Sequence, residues 1–373
     1  MANAVKIVLS GYYGFDNIGD EAVLYSIISA LRDELENVDI TVLSNNPEKT
    51  KALYGVKSVN RWKMKEVAKV IKESDLLVSG GGSLLQDVTS SKTVPYYLAI
   101  VKIAQFYKKK VVFYSQGIGP VNKGFSRFLI KNVVGKVDGI FVRDAASQAL
   151  LKEIGIKKDV HLAIDPVLGI NLSNTEQKQK QKTVGIYLRP WQDEAHDKNM
   201  IDSLSQGLAQ LLVNGYKLCF IPMHYEQDRQ IAHKLAKEIE EIALKQNILT
   251  KEVLNNSIEV VDKNLSIKEV LAYTESFEFI VGMRLHSLIM AAACGVPMIG
   301  ISYDPKVTAF CKEMKVPYCL NSHELTSEMF EKALNDLQSN KDNQISELKT
   351  ELVNKKERIY LPAYCIKELV GNK

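Results

Sequence analysis

No run of about 18 apolar residues, the length that a membrane-crossing helix requires, occurs anywhere in the 373-residue chain, so no transmembrane span is expected. Cysteine is scarce. Five residues, Cys219, Cys294, Cys311, Cys319 and Cys365, make an odd number with no Cys-x-x-Cys spacing. Neither a disulfide framework nor a zinc site follows, and Cys219 and Cys294 lie in apolar runs and read as small core residues. Arg-rich tracts and nucleic-acid signatures are missing, and a formal net charge of +4 is mild, so no nucleic-acid partner is expected. The lysines that do cluster, at 63–72 and at Lys108-Lys109-Lys110, read as solvated helix faces and loop edges rather than as a membrane or nucleic-acid patch. No glycine loop has Gly-x-Gly-x-x-Gly or P-loop spacing, which leaves a nucleotide fingerprint unsupported. No His, Asp or Glu grouping has metal-ligand spacing, so no metal is expected. Met1 to Lys6 runs straight into a strand pattern without an apolar stretch of signal-peptide length, which points to the cytoplasm.

What the chain does have is the composition of a globular protein, 46% hydrophobic and 25% charged, with a length suited to two domains. Short Val-, Ile- and Leu-rich runs at 5–10, 40–43, 76–79, 111–115 and 139–142 predict buried parallel strands. Helical patterns at 21–35, 94–107, 125–134 and 145–154 alternate with them. The same alternation returns with strands at 184–188, 217–221, 258–261, 279–281 and 298–301 and helices at 200–213, 228–244, 267–275, 287–294 and 308–314. A charged helical tail runs over 324–357. The polar segment 172–182, rich in Gln and Lys, reads as an exposed linker. The expected organisation is α/β: a Rossmann-like domain over 1–172, a linker at 173–182, and a second Rossmann-like domain over 183–373 that includes the tail. Two doubly wound domains facing a cleft are similar to the GT-B architecture, a likeness that carries no function by itself.

The chemistry concentrates where strands end. Gly11-Tyr12-Tyr13-Gly14-Phe15-Asp16-Asn17-Ile18-Gly19-Asp20-Glu21 follows the first strand, and its glycines allow a tight turn and close approach of a ligand to the backbone. Asp16 sits where no helix cap is needed, which favours function over an ordinary turn capped by Asp20. Ser79-Gly80-Gly81-Gly82-Ser83 and Ser115-Gln116-Gly117-Ile118-Gly119-Pro120 suit a ligand-lining loop or an ordinary turn equally well. Arg143 and Arg189 each end a strand and suit carboxylate or phosphate. The alternatives are a pair with Asp144 or another acid for Arg143 and a surface position for Arg189. The segment Gly282-Met283-Arg284-Leu285-His286 before an apolar helix is the most informative. Gly282 is expected to turn the chain there, and the helix start favours anions beside Arg284 and His286. Lys306, in Tyr303-Asp304-Pro305-Lys306, is either a further cation or the exposed end of a capped turn.

Taken together, residues 11–21, 80–86, 116–120 and 142–144, and Arg284-Leu285-His286 with Cys294-Gly295-Val296-Pro297, resemble the polysaccharide pyruvyl transferases. The likeness is greatest to bacterial members that modify the secondary cell wall polymers anchoring surface-layer proteins. It spans the chain from Val5 to about Pro317. The resemblance implies a GT-B-like fold, phosphoenolpyruvate as donor and co-substrate with no further cofactor, and a pyruvate ketal across the 4- and 6-hydroxyls of N-acetylmannosamine. It implies an acceptor carried on a lipid at the inner face of the membrane, with peripheral membrane contact through that acceptor. The residue types fit this chemistry. Arg143, Arg189, Arg284 and Lys306 are the candidate donor-binding cations, His286 the candidate acid and Asp16 the candidate base. Gly14, Asn17, Gly81, Gly82 and Gln116 are expected to line the cleft, the acceptor on the N-terminal side and the donor on the C-terminal side. The alternative is a nucleotide-sugar glycosyltransferase of the same fold. Many of those hold the ribose with a Glu four residues before Cys-Gly-Val-Pro, where this chain has Met290.

Overall fold

Ile7, Val8 and Leu9 of the first strand are buried, and that strand pairs on both sides, so it lies at the centre of a parallel sheet. In the computed structural model, residues 4–88, 90–170, 182–191, 193–245 and 250–371 are described. The chain divides into two units, Met1–Asn171 with Lys355–Lys373, and Leu172–Asn354. The first holds a seven-stranded sheet of β1 (Val5–Ser10), β2 (Val38–Ser44), β3 (Lys57–Asn60), β4 (Leu76–Gly80), β5 (Lys110–Gln116), β6 (Gly139–Val142) and β7 (His161–Leu162). Its helices are α1 (Ile18–Glu34), α2 (Pro47–Tyr54), α3 (Met64–Glu73), α4 (Thr93–Phe106), α5 (Gly124–Val134) and α6 (Ala145–Ile154). Val8, Leu77, Phe113 and Ile140 of the sheet pack with Ile71, Val101, Ile130 and Leu151 of the helices into one apolar core. Each such side chain contributes about 1.5–3 kcal/mol by leaving water.

The second unit holds a six-stranded sheet of β8 (Thr183–Tyr187), β9 (Lys217–Phe220), β10 (Ile258–Val260), β11 (Phe279–Gly282), β12 (Met298–Ser302) and β13 (Cys319–Asn321). Around it run α7 (Glu194–Val213), α8 (Tyr225–Lys245), α9 (Lys251–Ser257), α10 (Ile267–Ser276), α11 (Leu285–Ala293) and α12 (Pro305–Glu313). The strand orders are β3-β2-β1-β4-β5-β6-β7 and β10-β9-β8-β11-β12-β13. In both sheets the chain starts in the middle, winds outward one way, then returns to the other side of its first strand. The change of direction falls between β1 and β4 and between β8 and β11. In open parallel sheets such a switch point leaves a crevice at the carboxyl ends of the strands, where ligands bind.

Every strand expected from sequence is present. The strands without a sequence signal, β3, β7 and β13, are at or beside sheet edges, where Lys57-Ser58-Val59-Asn60 or a two-residue pairing offers no apolar run. Of the 63–72 lysines, Lys65, Lys69 and Lys72 lie on α3 and Lys63 precedes it at the N-cap, and the helix buries Val67 and Ile71. The expected linker at 173–182 lies, up to residue 181, outside the described residues. The tail departs from expectation. It is one long helix, α13 (Ser327–Val370), and from Lys355 onward it belongs to the first unit rather than the second. Contacts explain why. The Arg358 guanidinium donates to the Ala163 carbonyl at 2.8 Å, the Tyr360 hydroxyl donates to that of Gly169 at 3.2 Å, and Lys367 meets Glu34 at 3.1 Å. Earlier in the helix, Gln344 pairs its amide with both backbone groups of Met298 in the second unit. No described helix is long and apolar enough to cross a membrane.

Ile366 is fully buried where α13 lies within the first unit. Ile366→Ala should therefore cost about 2–5 kcal/mol in chemical denaturation. A loss below about 1 kcal/mol, the size expected of a surface position, would show that the last turns of α13 are not part of that core.

Candidate functional site

At the switch point of the first sheet, the loops after β1 and β4 are joined by Tyr13. Its buried hydroxyl donates to the Gly80 carbonyl at 3.0 Å, and a side chain at Gly11 or Gly80 would strike it. Gly14 has φ +78°, which glycine alone adopts without cost, and its N–H donates to Glu21 Oε1 at 2.8 Å. The Tyr54 hydroxyl donates to the other Glu21 oxygen at 2.5 Å. Burial raises the Glu21 carboxyl above its ordinary range, against the pull of those two bonds. Asp16 holds a left-handed φ of +59° and meets Lys49 at 2.7 Å, both side chains half-exposed. The helix cap is Asn17, whose side chain accepts the Gly19 N–H at 3.0 Å, and not Asp20 as the turn reading had it. Asp20 instead turns towards the triple-glycine loop, where a Cβ on Gly82 would lie 3.0 Å from its Oδ1. Gly81 has φ +58°, and a Cβ there would overlap Val23, so α1 packs directly on this loop.

The β5 loop is bound to its neighbour by backbone, Gly117 N–H to Gly82 O at 2.9 Å and Gly119 N–H to Leu85 O at 2.8 Å. Gln116 is fully buried, and neither atom of its amide has a partner. Arg143 is buried beside it and faces protein acids, Asp165 at 3.3 Å and Asp144 at 3.6 Å, while it donates to Ser83 Oγ at 3.0 Å. This is the sheet-end ion pair that its position in the sequence left open. Losing one partner of a buried pair costs about 3–5 kcal/mol, because the other charge is stranded.

Beside the first loop lies a group that sequence reading missed. Arg61, buried just after β3, donates to the Gly11 carbonyl at 2.8 Å and the Tyr97 hydroxyl at 3.1 Å. Its guanidinium is within 4.7–5.4 Å of the ring centres of Phe15, Trp62, Tyr96 and Tyr97. Tyr12 stacks on Phe15 at 4.0 Å, and the Trp62 indole donates to Asn45 at 2.9 Å. Tyr12 is 40% exposed and Trp62 57% exposed, so a held arginine presents fixed aromatic faces to solvent. The rings come from β1, β3 and α4 surroundings, and only the pairing order of the sheet brings them together.

In the second sheet, the loops after β8, β9, β11 and β12 share the carboxyl edge. Arg284 is the N-terminal cap residue of α11 and makes no side-chain cap. Its Nε and Nη2 grip Asp228 at 3.1 and 2.5 Å, and Nη2 reaches Gln227 at 3.4 Å. Asp228 is buried and also accepts the N–H groups of Met223 and His224 at 3.1 and 2.9 Å. It therefore orients both the β9 loop and the arginine. An acid in the first turn of a helix after a strand was the available signal for it. His286 is the second residue of α11, partly buried, at the positive end of that helix's dipole, which favours an anion. Gly282 does not turn the chain. It is the last residue of β11, and a Cβ there would lie 2.7 Å from Ser287 Oγ and 2.9 Å from Leu288, so it lets α11 pack onto the strand. Cys294-Gly295-Val296-Pro297 is a helix stop, with Gly295 at φ +63° and Val296 N–H bonded to Ala291 O at 2.8 Å. Met290 is fully buried.

Arg189 lies over the Tyr303 ring at 4.5 Å and near Trp191 at 5.8 Å. Lys306 follows in the first turn of α12, which Asp304 caps and Pro305 opens. Trp191 also packs on His196 and His323, whose rings lie 4.5 Å apart. The structure thus brings Arg189 to the loop of Lys306 and Arg284 to Asp228. Asp16, Asn17, Gly14, Gly81, Gly82, Gln116 and Arg143 share the edge of the first unit, and the other candidates that of the second.

Burial first, and the neighbouring His323 second, hold the His196 imidazole below its ordinary value of 6.5. Packing around neutral His196 should then be complete above that value and weaken as pH falls beneath it, since protonation opposes the buried state. In a Trp62→Phe background, Trp191 emission reports this cluster alone, and it should change over that acidic range. His196→Gln should abolish the transition, and a flat profile before the substitution would refute the assignment.

A family model described as polysaccharide pyruvyl transferase matches residues 17–305. The amylovoran biosynthesis protein AmsJ of Erwinia amylovora is 21% identical over 377 residues, covering 84% of this chain and 87% of that protein. Among solved structures, a protein described as a UDP-N-acetylglucosamine 2-epimerase from Listeria monocytogenes superposes with a TM-score of 0.66 at 12% identity, over 100% of this chain and 98% of that one. A glycosyltransferase from Rickettsia africae gives 0.60 at 13% identity, with 100% of each chain covered. At such identities the structural likeness speaks for the fold alone, two Rossmann-like domains of the GT-B kind. The match of the family model extends from the Asn17 cap to Pro305, through both switch-point edges and the Arg284-Leu285-His286 segment, and the chain belongs to the polysaccharide pyruvyl transferase family.

Proposed function

We propose that the chain transfers the pyruvyl group of phosphoenolpyruvate onto two hydroxyls of a sugar in a lipid-linked cell wall polymer precursor, as a 4,6-ketal on N-acetylmannosamine. The observation that carries the reading is the pair Arg284 and His286 at the start of α11, on the switch-point edge, with the arginine aimed by buried Asp228. Phosphoenolpyruvate brings a phosphate and a carboxylate. Arg189 and Lys306 with the α11 N-terminus supply the counter-charge, and Arg284, its charge shared with Asp228, offers the Nη1 that those bonds leave unused. Arg143, already turned to Asp165 and Ser83, supports the acceptor-side loops instead.

In this reading His286 delivers a proton to the donor methylene, which becomes the methyl group and leaves the adjacent carbon electron-poor. One sugar hydroxyl adds there and loses its proton to a base, the C–O bond to phosphate breaks, and the second hydroxyl closes the ketal as its proton passes to the departing phosphate. Asp16 is the proposed base, and Asp20, nearer the triple-glycine loop, is the second candidate on that edge. The exposed faces of Tyr12 and Trp62 suit the apolar face of a pyranose, which supports an acceptor bound on the first unit. A nucleotide-sugar glycosyltransferase is the competing reading, favoured by neighbours such as the Rickettsia africae protein. The buried Met290, where that reading wants a ribose-binding carboxylate, speaks against it.

Incubation with phosphoenolpyruvate and a lipid-linked disaccharide containing N-acetylmannosamine should release phosphate and add one pyruvyl ketal to the acceptor by mass. Consumption of a nucleotide sugar with no phosphoenolpyruvate turnover would favour the competing reading. His286→Ala should lower kcat by about 10²–10⁴-fold, and near-normal turnover would remove its role as acid. In D₂O the pyruvyl methyl should gain a single deuterium if the positioned hydroxyl captures the carbon before the proton is returned. Two or three deuteriums would keep the acid but remove rapid capture, and none would overturn donor protonation.

A further inference from the structure

From residue 88 to residue 137 the chain has no Asp or Glu, yet it carries eight lysines and Arg127. This stretch is +9 in a chain whose formal charge is +4, so the remainder is −5. The segment contains α4 and α5, which pack side by side in the first unit. Lys110 pairs with Asp138 at 2.9 Å and Arg127 with Glu153 at 2.6 Å. Among the described residues no ion pair holds the other seven cations.

The same two helices expose large apolar side chains. Phe106, at the end of α4, is 79% exposed, Phe125 and Phe128 at the start of α5 are 66% and 62% exposed, and Val88 is 63% exposed. Val88 is fixed near the start of α5 because the Asp87 carboxylate accepts the N–H groups of Asn122 and Lys123, each at 2.9 Å. Phe106 lines a surface depression with Lys102, Lys108, Lys109, Lys110 and Lys136, and the acid in its lining, Asp138, is paired with Lys110. Isolated exposed apolar residues are ordinary, but phenylalanines this exposed amid an excess of cations are not. Rings beside unpaired lysines are what an anionic bilayer surface rewards, since the rings enter the headgroup boundary while the ammonium groups meet lipid phosphates. A free polyanion would use the lysines and leave the phenylalanines in water.

We propose that the α4–α5 face of the first unit docks on an anionic membrane surface. Such docking needs neither donor nor acceptor and can be measured whatever reaction the chain catalyses. The test uses the full chain and vesicles of equimolar phosphatidylglycerol and phosphatidylcholine, with pure phosphatidylcholine as control, read by co-sedimentation. Binding should require the anionic lipid and weaken as salt is raised. Phe125→Ser with Phe128→Ser should lower vesicle affinity by at least about tenfold, as should Lys123→Glu with Lys131→Glu, with unchanged far-ultraviolet circular dichroism. These side chains are exposed, so the variants should fold as the parent does. No binding of the unaltered chain to the anionic vesicles would overturn the proposal. Retained binding in the phenylalanine variant, together with equal affinity for single-stranded DNA, would overturn it in favour of a general polyanion surface.

Discussion

Both halves of this protein obey one constraint. A parallel sheet that starts in its middle must leave its first strand flanked by loops that run to opposite sides. Around β1 these are the glycine loop at 11–17 and the triple-glycine loop after β4. Around β8 they are the loop of Arg189 and the segment Met283-Arg284. Some backbone N–H groups of these loops still pair with a strand, that of Gly81 with Tyr114 and that of Met283 with Tyr187, and the helix starts beside them add their dipoles. In open parallel sheets ligands bind at such edges, which is where the candidate residues of both units lie.

The cations of the two edges are held differently. Arg284 is gripped through Nε and Nη2 by a buried acid that also fastens the β9 loop, and none of these bonds uses Nη1. Arg143 is turned to Asp165, Asp144 and Ser83, and Gly117 leaves room for it, since a Cβ there would lie 2.9 Å from its Nε. Among the described residues Arg61 has no carboxylate partner, and it is stabilised by a carbonyl, a phenol and aromatic faces. Buried charge is expensive, and each arrangement satisfies it in a way that also fixes a loop. Position along a strand says that an arginine ends at the edge. Whether that arginine faces ligand or protein depends on an acid that is 22 residues away for Arg143 and 56 away for Arg284.

Much of the architecture was legible in the order of residues, because central parallel strands are buried on both faces and must be continuously apolar. Leu76-Leu77-Val78 and Phe279-Ile280-Val281 could be little else. Helix boundaries were legible to within a few residues where a cap residue or glycine marked them, as at Ala145–Ile154, between Asp144 and the left-handed Gly155. The edge strands were not, since pairing on one side demands no apolar run. The end of α13 was not either, because its charged pattern is equally that of a solvated helix until the carbonyls of Ala163 and Gly169 are placed beside it.

By itself, the sequence determined two doubly wound domains, the glycine loops, and the Arg284-Leu285-His286 segment before an apolar helix, all of which are local patterns spanning a few residues. The tertiary structure alone decided that Asn17 and not Asp20 caps α1, that Gly282 permits close packing rather than a turn, and that Asp228 aims Arg284. It also decided that Arg61 gathers Phe15, Trp62, Tyr96 and Tyr97 into one aromatic group, and that the acid-free stretch turns three phenylalanines outward. Each of these depends on residues far apart in the chain meeting across a sheet or between helices. Composition and periodicity carry no record of such meetings, because the energy that selects them is that of packing and paired charge in the folded state.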